Sequence, residues 1–127
     1  MNKVMLDASA LLAYLRGEPG GEIVPVTTGE AVISAINYAE TVSVLTARGM
    51  PAASVRQQLS RIVLEIVVFD RDSAEAAGLL IEKTKPFGLS LGDRACLVEA
   101  SRAGVPALTG DRAWRGVDIG VPIQFIR

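Results

Sequence analysis

Short aliphatic and β-branched runs alternate with stretches of helical periodicity along the whole chain, and this alternation limits the available folds more than any other feature. Val4 to Leu6, Ala31 to Ser34 and the β-branched stretch Glu65 to Phe69 read as strands, and Val105 to Thr109 and Pro122 to Ile126 complete the set. Between them the pattern predicts helices over Ala8 to Arg16, closed by Gly17 and Pro19, and over Asn37 to Arg48. Gly49-Met50-Pro51 is a stop and a restart, glycine suiting the C-cap and proline the first turn of the next helix. From Ala52 to Leu64, Val55, Leu59, Ile62 and Val63 share one helical face. Asp72 to Lys83 and Leu91 to Ala103 are the remaining helices, the latter ended by Gly104, while residues 20–29 are ambiguous, with a short helix as one reading.

Strands alternating with helices imply crossovers of one hand and a parallel sheet covered on both faces. The expected fold is a three-layer α/β/α unit with a central sheet of about five strands. No repeat, linker or shift of composition divides the chain, so residues 1–127 read as one domain. In such sheets ligands bind outside the carboxyl ends of the strands, and that is where chemistry is to be sought.

Composition excludes several kinds of chemistry. The chain has no histidine, which removes Ser-His-Asp and Cys-His nucleophile pairs, imidazole acid–base catalysis and His-ligated zinc. Its single cysteine, Cys96, forms neither an intrachain disulfide nor a cysteine cluster, which fits a reducing, cytoplasmic compartment. A hydrolase built from these residues has to work through carboxylates, which favour hard ions such as Mg²⁺ or Mn²⁺. The opening residues are a short apolar run closed by an acid rather than a signal peptide, and no apolar run approaches the ~20 residues of a membrane span. A net charge of −1 argues against a generally basic nucleic-acid surface.

Four acids fall at the expected carboxyl edge. Asp7 follows the first strand and starts a helix; alone, it is equally an N-cap. Glu40 is the only charged residue between Asn37 and Ala47 and shares a side with Ile36, Val44 and Ala47, a costly place for a carboxylate unless it is paired with an arginine such as Arg16 or Arg48, or bound to a metal. Asp93 shares a face with Cys96, Leu97, Ala100 and Gly104, while Arg94, Glu99 and Arg102 point elsewhere; Ser90-x-x-Asp93 also resembles a capping box. Asp111 comes just past the strand ending at Thr109, and Asp118, between glycines, is a weaker fifth. Carboxylates gathered at one edge repel unless a cation neutralises them, and one or two divalent ions would do so while activating water and bracing a phosphate. Ser9 and Thr109 are placed to orient a water or to make local cap bonds.

Asp7-Ala8-Ser9-Ala10-Leu11-Leu12-Ala13-Tyr14-Leu15, Asn37-Tyr38-Ala39-Glu40, Leu91-Gly92-Asp93-Arg94-Ala95-Cys96-Leu97 and Leu108-Thr109-Gly110-Asp111-Arg112-Ala113-Trp114 together resemble, in order and spacing, the four motifs of PIN domains. The likeness is nearest to the VapC-type toxins of bacterial and archaeal toxin–antitoxin pairs. It implies a PIN-like α/β/α fold and a Mg²⁺- or Mn²⁺-dependent endoribonuclease with Asp7, Glu40, Asp93 and Asp111 as metal ligands. It further implies supporting hydroxyls at Ser9 and Thr109, a homodimer, and an antitoxin whose tail occupies the active groove. Gly110 departs from the alanine many relatives carry there.

Arg94, Arg112 and Arg115, beside the motifs, are candidates for phosphate contact or for ordinary surface charge. Trp114 is placed to stack on a base or to fill the core, and Cys96 to pack. Other readings remain open at this point: a PIN nuclease of RNA processing that is not a toxin, a phosphatase or DNA nuclease with the same acids, and a non-catalytic receiver-like domain. The receiver is a poor match, because a single acid follows Leu6 and no lysine lies beyond Lys85.

Overall fold

A computed structural model describes residues 2–127. The strands are β1 (Val4–Leu6), β2 (Ala31–Ser34), β3 (Glu65–Val67), β4 (Ala107–Thr109) and β5 (Ile123–Phe125). They form one five-stranded sheet in the order β3-β2-β1-β4-β5, every neighbouring pair parallel. The helices are α1 (Ala8–Arg16), α2 (Ala35–Ala47), α3 (Ala52–Ser60), α4 (Arg71–Leu79), the single turn α5 (Ile81–Thr84) and α6 (Leu91–Ala103). The three-layer α/β/α architecture is as expected.

Strand alternation sorts the aliphatic residues into two cores. Val4, Leu6, Ala31, Ile33 and Leu108 point to one face, where Ala10, Leu11 and Ala13 of α1 and Val55 and Leu59 of α3 cover them. Met5, Val32 and Ala107 point to the other face and pack against Cys96, Leu97 and Ala100 of α6, with Trp114 closing that core. Because both faces are covered there, β1, β2 and β4 are buried along their whole length and apolar up to the Ser34 and Thr109 that end β2 and β4.

Several helix boundaries differ from expectation for local reasons. α3 ends at Ser60, yet Ile62 and Leu64 still pack against the first core from the segment leading to β3. The helix expected over Asp72 to Lys83 is capped earlier, by Asp70, and breaks at Leu80 into α4 and α5. The buried stripe of α2 runs through Asn37, Thr41 and Leu45 rather than Ile36, Val44 and Ala47, because the two polar residues have their hydrogen bonds satisfied internally. No helix among the described residues is long and apolar enough to cross a membrane.

Two strands at the centre of the sheet decide where chemistry can sit. From β1 the chain winds outward to β2 and β3, then returns past β1 to β4 and β5. The strand order therefore reverses between β1 and β4, and the carboxyl ends of those two strands flank a natural crevice. Asp7 follows the first directly, and Gly110 and Asp111 follow the second.

Candidate functional site

Asp7 is nearly sealed from solvent, at 3% exposure. Its Oδ1 accepts the Ala10 N–H at 2.8 Å, capping α1, and the Ser9 hydroxyl lies 2.7 Å from the same oxygen. Its Oδ2 accepts from the Thr109 hydroxyl at 2.5 Å. Ser9 Oγ in turn accepts the Gly110 N–H (2.9 Å), and Thr109 Oγ1 accepts the Asp111 N–H (3.0 Å). These bonds tie the end of β1 to the end of β4 and hold the carboxylate in one orientation. They do not settle its charge. Burial pushes its pKa from 3.8 up to about 6, over the opposing hydrogen bonds from Thr109, Ala10 and Ser9, and the Asp93 charge raises it further.

Glu40 projects from α2 beside the start of α6. Its Oε1 accepts from Asn37 Nδ2 at 2.8 Å, and the same amide donates to the Gly92 carbonyl at 2.9 Å. Asn37 is itself buried and fixed by Ser34, whose hydroxyl donates to Asn37 Oδ1 at 2.8 Å. Gly92 makes the approach possible: a Cβ there would collide with the Glu40 carboxylate. Burial first, then the charge of Asp93, raises the Glu40 pKa against the Asn37 hydrogen bond.

Asp93 closes a capping box on α6, its Oδ2 accepting the Ser90 N–H (2.9 Å) while the Asp93 N–H donates to Ser90 Oγ (3.1 Å). The cap and the site acid are thus one residue. Beneath it lies the Cys96 thiol, pushed well above its ordinary value by burial and then by the charges of Asp7, Asp93 and Glu40. Those three acids therefore lie near enough to one buried thiol for their charges to be felt there. Asp111 sits on the same edge, but its Oδ1 accepts the Ala113 N–H (2.9 Å) and caps the turn Arg112–Trp114.

Each carboxylate is thus held by its own cap or neighbour, and among the described residues no three converge closely enough to form a finished coordination sphere. Nor is any of the four within 4.0 Å of a Lys or Arg nitrogen among the described residues. Arg16, a candidate partner for Glu40, pairs instead with Glu18 at 3.5 Å. Unpaired, partly buried carboxylates are unfavourable as anions, the more so at Asp7 and Glu40 where the charge of Asp93 is added, and an all-oxygen donor set suits a hard divalent cation. In donor chemistry the residues present suit such an ion, although no three of them are gathered about one point among the described residues.

The PIN domain family model matches residues 4–120. The chain belongs to the PIN-domain family. That is a family of nucleases, which sets the activity class of this PIN domain as hydrolysis of nucleic-acid phosphodiesters. Among solved structures it is similar to DNA-bound VapBC from Salmonella typhimurium, at 20% identity over 100% of both chains with a TM-score of 0.78. It is also similar to VapC20 of Mycobacterium tuberculosis, a sarcin-ricin-loop-cleaving toxin, at 16% identity over 94% of this chain and 100% of that one, with a TM-score of 0.71. FitAcB from Neisseria gonorrhoeae matches at 18% identity over 95% of this PIN domain and 96% of its own chain, with a TM-score of 0.68. At such identities the likeness establishes a shared fold. No curated protein sequence matches.

The other candidate residues of this PIN domain divide. Arg112 and Arg115 are exposed beside Asp111. Arg94 is turned toward α4, where Nη1 donates to the Ala77 carbonyl at 2.7 Å. Trp114 is buried in the second core and offers no face to a base. Asp118 is exposed, and Cys96 is packed in the core as expected. Sequence reasoning passed over Asn37 and Gly92 as actors, although both stand in the motifs; their role depends on a contact 55 residues apart that periodicity does not reveal.

Proposed function

We propose that this PIN domain is a Mg²⁺- or Mn²⁺-dependent endoribonuclease and the toxin of a VapBC-type toxin–antitoxin pair. The observation that carries the reading is Asp7: a sealed carboxylate held by Ser9, Thr109 and Ala10, with no cationic side chain to neutralise it and Asp93 adding to its cost. Asp7, Glu40, Asp93 and Asp111 would hold the ions. A bound divalent ion supplies Lewis acidity, lowering the pKa of water and offsetting charge on the phosphate. The chain's own part is to fix those ligands in advance: two hydroxyls at Asp7, the Asn37 amide at Glu40, the Ser90 box at Asp93 and the Ala113 N–H at Asp111. Ligands fixed in advance would let a bound ion position a phosphate and a water without a further cost of orientation.

The toxin assignment is supported by the VapBC and VapC proteins among the similar structures, one of which is a sarcin-ricin-loop-cleaving toxin. Action on RNA in the cytoplasm, a homodimeric state and inhibition by a cognate antitoxin belong to the same reading.

Incubating the protein with RNA and Mg²⁺ or Mn²⁺ tests it, with EDTA and the Asp7→Asn and Asp93→Asn variants as controls. Cleavage should need the metal and fall by at least ~100-fold in either variant, since even outer-shell changes at metal sites cost ~10–100-fold. Activity that survives both chelation and substitution removes the mechanism. Toxicity on expression, relieved by a small neighbouring gene, separates a toxin from an RNA-processing nuclease.

A further inference from the structure

Arg127 reaches the carboxyl edge of the sheet from its far side. Ile126 donates its N–H to the Thr109 carbonyl at 3.0 Å, which carries the β4–β5 pairing past Thr109 and Phe125 and brings the last residues alongside Gly110. There the Arg127 guanidinium lies across Gly110: a Cβ on that glycine would stand 3.1 Å from both Cζ and Nη2. Gly110 is not among the glycines with positive φ, so its backbone is one any residue adopts. What the missing side chain provides is a closer approach, since a Cβ there would crowd the guanidinium by a few tenths of an ångström. Nη1 donates to the Pro19 carbonyl at 2.8 Å, in the turn after α1. No carboxylate among the described residues lies within 4.0 Å of it.

The guanidinium is thus seated against a glycine and tethered to a neutral carbonyl, with no acid in ion-pair reach among the described residues. Its neighbours give that placement a use. Gly110 stands between Thr109, which donates to Asp7, and Asp111. The edge is acidic, so a polyanionic strand drawn to it is repelled by the acids and held by bound ions and by the cations beside them, of which the exposed Arg112 and Arg115 are two. Bonded to a neutral acceptor, Arg127 keeps its whole charge for an external anion, and the exposed fork of a guanidinium matches the oxygens of a phosphate.

We infer that Arg127, seated on Gly110, contacts a backbone phosphate of the nucleic-acid strand beside the acidic edge. The inference rests on the nuclease reading above and adds a strand-positioning residue that lies outside the four motifs. Such a contact carries no sequence information; it sets the strand's register against the acids.

The test is binding of a short single-stranded RNA to protein carrying Asp93→Asn, so that the RNA is not cut, over a range of salt concentrations. Arg127→Gln in that background should weaken binding about five- to tenfold and reduce the slope of log K against log salt by about 0.7, the value of one phosphate contact on a single strand. The melting temperature should stay unchanged. Arg127→Lys, which keeps the charge but not the fork, should restore the slope and only part of the affinity. In cleavage by otherwise unaltered protein, KM should rise more than kcat falls. An unchanged salt slope in Arg127→Gln overturns the inference while leaving the nuclease reading intact, as does a lower melting temperature with unaltered binding. Failure of the unaltered protein to bind or cut RNA would remove both.

Discussion

Two helices of this protein begin on an aspartate in nearly the same conformation. Asp7 has φ −87° and ψ 176°, and Asp70 has φ −88° and ψ −175°. Each carboxylate accepts the N–H three residues on, from Ala10 at 2.8 Å and from Ser73 at 2.9 Å. Yet Asp7 is pushed up to about 6 by burial, whereas Asp70 is held down at about 2, chiefly by its hydrogen bond from Arg102 and then by the Ser73 N–H. The cap bond is common to both, so it is not what separates them. Asp70 is half-exposed and has Arg102 Nη1 at 2.9 Å; Asp7 is sealed among hydroxyls and other acids. An identical local motif is structural where its charge is answered within the chain, and becomes a candidate ligand where it is not.

The largest effect should come from loosening the acids without touching them. Asn37→Asp removes the amide that donates to Glu40 and to the Gly92 carbonyl and adds a repelling charge. Gly92→Ala sets a methyl group where the Glu40 carboxylate now lies. Each should lower Mn²⁺ affinity, measured by calorimetry, and RNA cleavage by about 10–100-fold, the usual cost of losing the support behind a metal ligand. Full metal affinity in both variants would mean that Glu40 is not held for that purpose.

A comparable cost, in stability instead of activity, is expected on the Asp70 side. Glu99 is buried at 4% exposure and its Oε2 accepts from the Ser73 hydroxyl at 2.9 Å. Ser73→Ala leaves that carboxylate short of a partner and should cost about 1–3 kcal/mol in a urea melt. No loss would show that the nearby Arg102 suffices for Glu99.

These two sides differ in how far the sequence announces them. Gly17 and Gly104 mark the ends of α1 and α6, and those helices match expectation because caps are local. The positions of Asp7, Asp93 and Asp111 were legible for the same reason: each follows a strand or opens a helix, and the parallel topology brings such positions to one edge, whereas Glu40 stands in the second turn of α2. Glu99 was expected to point away from the core with Arg94 and Arg102. It is buried because Ser73, 26 positions earlier, supplies a hydroxyl, and no periodicity within α6 contains that information. Asp70 was passed over in favour of Asp72 as the opening of α4 for a similar reason: the arginine that steadies it lies 32 residues on. The Arg127 seat on Gly110 likewise joins segments that are adjacent only in the folded chain.

A smaller effect tests the frustrated cap directly. Asn caps a helix about as well as Asp, so Asp7→Asn removes charge and keeps the cap. A carboxyl whose pKa rises from 3.8 to about 6 on folding destabilises the metal-free fold at neutral pH, by up to ~3 kcal/mol for two units. Asparagine cannot accept both hydroxyl bonds, so the net gain should be about 1–2 kcal/mol in EDTA. The sign with pH follows from the raised pKa. The folded state binds the proton more tightly, so the wild-type deficit is full above about 6, shrinks as pH falls through that value, and is gone below 3.8. A variant less stable than wild type at neutral pH would mean the hydroxyl bonds outweigh burial.

The same substitution at the answered cap should act in the opposite direction and more weakly. Asp70→Asn also keeps an N-cap but takes the anion from Arg102, an exposed pair of the kind that contributes little. Because folding lowers this pKa from 3.8 to about 2, the stabilisation is present above 3.8 and is lost as pH falls through about 2. Wild type should therefore be slightly the more stable at neutral pH, and the difference should close in strong acid, where the Asp7 difference has already vanished. Cleavage should be unaffected, since Asp70 lies in the α4–α6 contact and not among the acids. Paired denaturation curves of the two variants across pH measure both signs at once. If Asp7→Asn and Asp70→Asn shifted stability in the same direction at neutral pH, the distinction between an answered and an unanswered cap would fail, and with it the physical reason for expecting a cation at Asp7.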